Sequence, residues 1–187
     1  MTTRHRLLTA VRAACLEPGV DVGSLTVADL ARRSGVHRVT FYRHWPDVPA
    51  AVTEAFLEEM ERLSTVDADE VAAAQDQAAL SRVYEAALLA QLRTVRDHRA
   101  IYRVLFAWPS FIADALPRLR QRAALMVEAV ERTGTPVPGA HDGLAADFVS
   151  GAALAVLAAW VRSDSEDVEG TTAEIVALMP SWWPRPR

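Results

Sequence analysis

The sequence contains no lysine; its twenty basic side chains are all arginine. GC-rich coding accounts for this more simply than a functional demand for guanidinium groups. Cysteine is nearly absent as well. Cys15 stands alone, so no intrachain disulfide and no multi-cysteine metal site can form. Glycine is sparse (8), and the ten prolines fall mostly where periodic segments stop. No stretch alternates with the two-residue period of a strand, and no internal repeat is visible, so the expected fold class is all-α. The longest uncharged apolar run, Phe148 to Val161, is shorter than the ~20 residues of a membrane span. The first residues lead directly into an amphipathic pattern rather than a secretory h-region. These features predict a cytoplasmic protein that does not enter a membrane.

What is present is the composition of a globular chain, 51% hydrophobic and 24% charged. The net charge of −4 conceals an asymmetry. Residues 1–45 carry a net +4 and the remainder a net −8. A basic end on an acidic body points to a nucleic-acid contact confined to that end.

The periodicity predicts a first helix from Arg4 to Leu16, with Leu7, Leu8, Val11, Ala14 and Cys15 on one face, stopped by Pro18-Gly19. A second begins at Thr26, where Thr26 and Asp29 resemble a capping box, and ends at Ser34-Gly35. A third runs from His37 to His44, anchored by Phe41 and Trp45. A fourth spans Val48 to Leu63, capped by Asp47. Residues 64–75 read as an acidic, Ala-rich, partly helical connection. Helices follow over Asp76–Arg96, His98–Ala107, Ser110–Thr133 with a kink or break at Pro117, His141–Val161, and Thr171–Leu178.

Residues 26–45 carry the chemistry. Two short helices joined by a tight glycine-containing turn form a helix-turn-helix, whose second helix can enter a DNA major groove. His37, Arg38, Val39 and Thr40 lie at its N-terminal end, where base edges would be. Arg38 can bond guanine bidentately, and Thr40 can hydrogen-bond a base or pack on a thymine methyl. Tyr42, Arg43 and His44 suit phosphate contacts, and Thr26 at a helix start can add hydroxyl and backbone N–H groups. The alternative is a pair of ordinary bundle helices. That reading leaves unexplained a short helix with two Arg, two His and a Tyr, anchored only by Phe41 and Trp45.

The same stretch resembles the DNA-binding signature of the TetR/AcrR family of transcriptional regulators. The matching residues are Thr26-Val27, the block Asp29-Leu30-Ala31-Arg32-Arg33-Ser34-Gly35-Val36, and the block Thr40-Phe41-Tyr42-Arg43-His44-Trp45. The likeness extends over roughly residues 4–55. Three positions depart from it: His37 replaces a small capping Ser, Val48-Pro49 replaces Lys-Glu, and Trp45 stands where Phe is commoner. The first two bear on how DNA is contacted. The resemblance implies an N-terminal three-helix helix-turn-helix DNA-binding domain (1–46) and a C-terminal helical ligand-binding and dimerisation domain (47–187). It implies a homodimer reading a palindromic double-stranded operator through recognition helices about 34–36 Å apart. It also implies a small-molecule effector, apolar or amphipathic, whose binding releases the DNA.

The C-terminal half has no strong motif, though residues 98–106 and 148–160 are loosely similar to C-terminal domains of that family. Leu144, Phe148, Gly151, Ala152, Ala155 and Ala159 share one face of a helix and suit close approach at a dimer interface. Tyr84, Leu88, Tyr102, Phe106, Trp108, Phe111, Met126 and Trp160 are the candidate effector-binding residues, with Arg103 or Gln91 supplying polarity. For each of them ordinary core packing is the competing explanation. A helical scaffold with a vestigial helix-turn-helix is the rival function, favoured by the missing Lys after Trp45. An enzyme has little support. The five histidines show no metal-ligand spacing, no nucleophile elbow or phosphate loop occurs, and no cofactor is expected.

Overall fold

In the computed structural model, residues 2–63 and 68–185 are described, and among them every regular element is helical. The first helix, α1 (Thr3–Cys15), buries Leu7, Leu8, Val11, Ala14 and Cys15, the face that the periodicity marks. After a 3₁₀ turn at Val22–Ser24 come α2 (Val27–Ser34), α3 (Arg38–Tyr42) and α4 (Val48–Leu63). Gly35 ends α2 at φ 66°, a left-handed conformation that a β-carbon would disfavour. Asp47 caps α4, its Oδ1 accepting from the Ala50 N–H at 2.8 Å.

The remaining helices are α5 (Ala68–Ala73), α6 (Gln77–Asp97), α7 (Arg99–Leu105), α8 (Pro109–Arg132), α9 (Leu144–Arg162) and α10 (Val168–Leu178). Residues 64–67 of the acidic connection lie outside the described residues. Two expectations need correction. The third helix is shorter than its sequence pattern, closing after Tyr42 rather than His44. Of the kink or break expected at Pro117, the break does not occur: the 24-residue α8 runs through it. Pro117 and Ala113, whose carbonyl loses its partner, both sit on the exposed side, where water can satisfy the freed group.

α4 joins the two ends of the molecule. It packs along α1 on one side and against α6 and α8 on the other. Arg4 pairs with Glu54 and Glu58, and Arg12 pairs with Glu59, so ion pairs run along the α1–α4 seam. Ala51, Val52, Ala55 and Phe56 of α4 are buried in the core. A single hydrophobic cluster runs from Leu7 through α4 to Trp183.

The largest helix–helix interface is that between α8 and α9. By length and composition alone α9 is apolar enough to cross a membrane. Here it lays Ala146, Val149, Ser150, Leu154, Leu157 and Val161 into the bundle. Its C-terminal carbonyls are covered by two arginines from α7. Arg99 donates to the Trp160 and Ser163 carbonyls, and Arg103 donates to those of Val161 and Ser163. Cations at a helix C-terminus are favoured by the exposed carbonyl dipoles.

Candidate nucleic-acid interface and effector cavity

α3 has a division of labour that its sequence pattern anticipates. Phe41 and Trp45 are buried, their ring centres 5.5 Å apart. The indole N–H of Trp45 donates to Glu54 on α4, which also accepts from Arg4. This fixes the short helix against α1 and α4. The opposite side is open: Val39 is 74% exposed and Tyr42 57%. His37, Arg38, Arg43 and His44 are exposed around them, and Thr40 is half-buried. Arg38 and Arg43 make no ion pair with the described residues, whereas Arg32 and Arg33 are neutralised by Asp29 and Glu17. An exposed apolar residue flanked by uncompensated cations suits a surface that meets both base edges and phosphates.

Thr26 is committed locally. Its hydroxyl oxygen accepts from the Asp29 N–H at 3.2 Å and donates to the Asp29 carboxylate at 2.6 Å. That hydroxyl, with Arg32 and Arg33 nearby, holds the Asp29 carboxyl below the usual carboxylate range. The capping box read from the sequence is therefore formed, with the hydroxyl spent on it. His37 makes no side-chain cap at the start of α3.

The body contains a partly open cavity of about 80 Å³ bordered by α6, α8, α9 and the C-terminal segment. Tyr84, Ala87, Leu88 and Gln91 line it from α6, and Leu119, Arg122, Ala123 and Met126 from α8. Val149, Ser150 and Ala153 line it from α9, and Trp183 from the C-terminal segment. Tyr84 meets Trp183 edge-to-face at 5.1 Å, and burial raises the Tyr84 pKa. Two smaller voids of about 20 Å³ each adjoin it through Gln91 and Leu119. One of them reaches Phe106, Phe111 and the end of α4 at Leu57, Met60 and Glu61.

No family model matches the chain. Similarity to known proteins comes instead from individual relatives and from solved structures. The HTH-type transcriptional regulator AqdR of Rhodococcus erythropolis is 43% identical over 54 residues, 29% of this chain and 25% of its own. The chain thus spans about a quarter of that relative's length. The crystal structure of RolR in complex with resorcinol superposes with a TM-score of 0.66 at 18% identity, covering 92% of this chain and 85% of RolR. The TetR family repressor AlkX of Dietzia sp. strain DQ12-45-1b superposes with a TM-score of 0.53 at 15% identity, covering 92% and 90%. The chain has the TetR-family fold.

Within this fold, the sequence-marked residues separate into groups. The helix-turn-helix set is exposed except for half-buried Thr40, and the Thr26 hydroxyl is bonded to Asp29. Of the residues marked for an effector, Tyr84, Leu88, Gln91 and Met126 line the main cavity. Phe106 and Phe111 line the smaller void, in edge-to-face contact at 5.2 Å. The structure places the others elsewhere. Tyr102 packs edge-to-face on Phe56 at 5.8 Å in the solid core. Trp160 lies beneath Arg99, Arg103 is engaged with the end of α9, and Trp108 precedes α8 half-buried. Trp183, Arg122 and Ser150 were not marked. Trp183 sits in a proline-bounded segment that reads as a tail, and nothing in its spacing shows that it folds back under α6.

The face of α9 marked for dimerisation is uncovered. Leu144 and Phe148 are each 62% exposed, and Gly151, Ala155 and Ala159 follow them along the same exposed stripe. Ala152 is half-buried at its edge. A β-carbon added at Gly151 would meet nothing within 4 Å, so no packing inside this chain explains the glycine.

Proposed function

We propose that this chain is a ligand-responsive transcriptional regulator, a cytoplasmic repressor that binds a palindromic operator as a homodimer and is released by a small apolar or amphipathic effector. The observation that carries the reading is the α3 surface. Arg38, Val39, Tyr42 and Arg43 are presented to solvent by a helix whose other side is fixed by Phe41, Trp45 and Glu54. Residues 1–46 form the DNA-binding head and 47–187 the regulatory body. No catalytic role is assigned to any residue.

The dimer in this proposal forms through α9. A helix that is apolar all round but buried on one side only asks for a partner on the other. A groove among Pro138, Leu144, Phe148 and Trp182 continues the same apolar surface. The reading requires a two-fold axis through this region and two α3 helices on successive major-groove turns.

The effector in this proposal occupies the cavity between α6, α8 and α9, and shifts the balance between two arrangements of the heads. RolR, similar in fold, was solved with resorcinol bound, which supports a small ligand for this chain as well. The deciding experiment is fluorescence-anisotropy titration of DNA upstream of the protein's own gene, at two salt concentrations, with wild type and Tyr42→Ala. Selective, salt-sensitive binding that the substitution weakens is expected. Binding no tighter than to random DNA, there and in a genome-fragment selection, would refute the operator reading.

A further inference from the structure

Arg122 belongs to two structures at once. It forms part of the wall of the main cavity, and its Nη2 donates to the backbone carbonyl of Glu61 at 3.3 Å. Glu61 lies in the closing turn of α4, the helix against which α1 packs. One turn earlier on α8, Arg118 holds the Glu61 carboxylate at 2.7 Å. The end of α4 is therefore latched to α8 by two guanidinium groups, of which only Arg122 also reaches the main cavity.

The polar groups around that cavity are one-sided. Among the described residues no carboxylate lines it, and the one in the adjoining void, Glu61, is held by Arg118. Trp183 offers an indole N–H that is buried and has no hydrogen-bond partner among the described residues. Gln91 and Tyr84 can donate, while the Ser150 hydroxyl donates to the Asp147 carbonyl. Burial lowers the Arg122 pKa, with Arg118 acting in the same direction and Glu61 opposing it. A cation in such a place gains from an anion brought beside it, because the pair is screened little by water. The cavity and its two neighbours meet at Gln91 and Leu119. Turned aside, these side chains would open a space approaching the ~150 Å³ that admits a benzene ring.

We propose that the cavity takes a small apolar monoanion, a single-ring aromatic or short-chain carboxylate, whose charged end draws Arg122 from the Glu61 carbonyl and so releases the last turn of α4. This rests on the reading of the chain as ligand-responsive, and it names the effector class and the first contact to change. Arg122 is both the anion's partner and the latch. Arg118 does not line the main cavity and acts there as a latch only.

Calorimetric titration of the full chain with benzoate, hexanoate and the neutral isostere benzamide tests the ligand class. Amide hydrogen exchange over residues 58–62 tests the latch. Wild type should bind both acids, bind benzamide at least about tenfold more weakly (the worth of a charge-assisted hydrogen bond), and exchange faster at the end of α4 when benzoate is bound. Arg122→Gln should lose about tenfold in benzoate affinity and exchange rapidly with or without it. Arg118→Gln should also speed exchange but keep wild-type affinity, which separates the two roles and covers the case of an unstable Arg122 variant. Failure of both acids to bind, equal binding of benzamide, or unchanged exchange in liganded wild type would overturn the proposal. Neither readout involves DNA, so an absent operator interaction would count against the function proposed above and leave this assignment standing.

Discussion

The Arg99 guanidinium carbon lies 4.4 Å from the centre of the Trp160 ring while its Nη1 donates to the Trp160 and Ser163 carbonyls. One buried cation thus covers an indole face and ends α9. Arg99→Met should destabilise the fold by about 2–4 kcal/mol, from the lost cation–π contact and from carbonyls left without donors. Arg99→Lys should recover less than half of this, because an ammonium cannot fork between separated carbonyls. Urea unfolding of the three proteins at one concentration measures it.

The bare stripe on α9 predicts an oligomeric state. Phe148→Glu places a charge where Leu144, Phe148 and Gly151 would meet a second copy. Sedimentation velocity should show a dimer for wild type and a monomer for the variant, with helicity retained. A monomeric wild type at micromolar concentration would remove the basis for pairing through this face.

On α3, Arg38 and Arg43 should fail differently. Arg38→Ala is expected to relax sequence preference at one base pair and cost about 1–3 kcal/mol on the preferred site. Arg43→Ala should weaken all sequences alike and reduce the salt slope by about 0.9. Anisotropy titrations across a set of single-base operator variants distinguish the two patterns.

Acid should loosen the α1–α4 seam. Glu59 is hydrogen-bonded by Arg62 and lies near Arg12 and His98, which together hold its pKa below the ordinary carboxylate value. A carboxyl depressed on folding contributes its full stability above the unfolded pKa and loses it as pH falls through the folded value. Wild type should therefore lose stability progressively below about pH 4.3, and Glu59→Gln should lose less over that interval. Thermal melts at closely spaced acidic pH values show the difference as a shallower slope.

Cys15 offers a check on packing. Burial alone pushes its thiol pKa up to about 12. Since the thiolate is the reactive species, the native protein should resist alkylation at neutral pH and react only on opening. Fast labelling in buffer, at a rate close to that in urea, would contradict a closed α1–α4 core.

The head was largely legible in the sequence because its positions are set by local rules. Thr26, Gly35, Asp47 and the Phe41/Trp45 spacing each answer to capping, turn or period arguments that extend over a few residues. The α9 stripe was legible for the same reason, since a helix face follows from period alone. The body resisted. Tyr102 and Tyr84 look alike in sequence, yet one fills solid core against Phe56 and the other lines a cavity with Trp183. Which aromatic borders empty space depends on how helices distant in the chain cross, and periodicity carries no such information. Pro117 does not break α8 because it sits on the exposed side, where the freed carbonyl can meet water.

The course of α4 has a consequence for how such proteins can be recombined. Cutting between residues 46 and 47 would part α1 from α4 and leave Arg4 and Arg12 without their carboxylate partners Glu54, Glu58 and Glu59. The smallest unit that keeps α3 together with its support from α1 and α4 is therefore residues 1–63. A chimera joined there keeps the α1–α4 seam and must supply new packing for the side of α4 that meets α6 and α8.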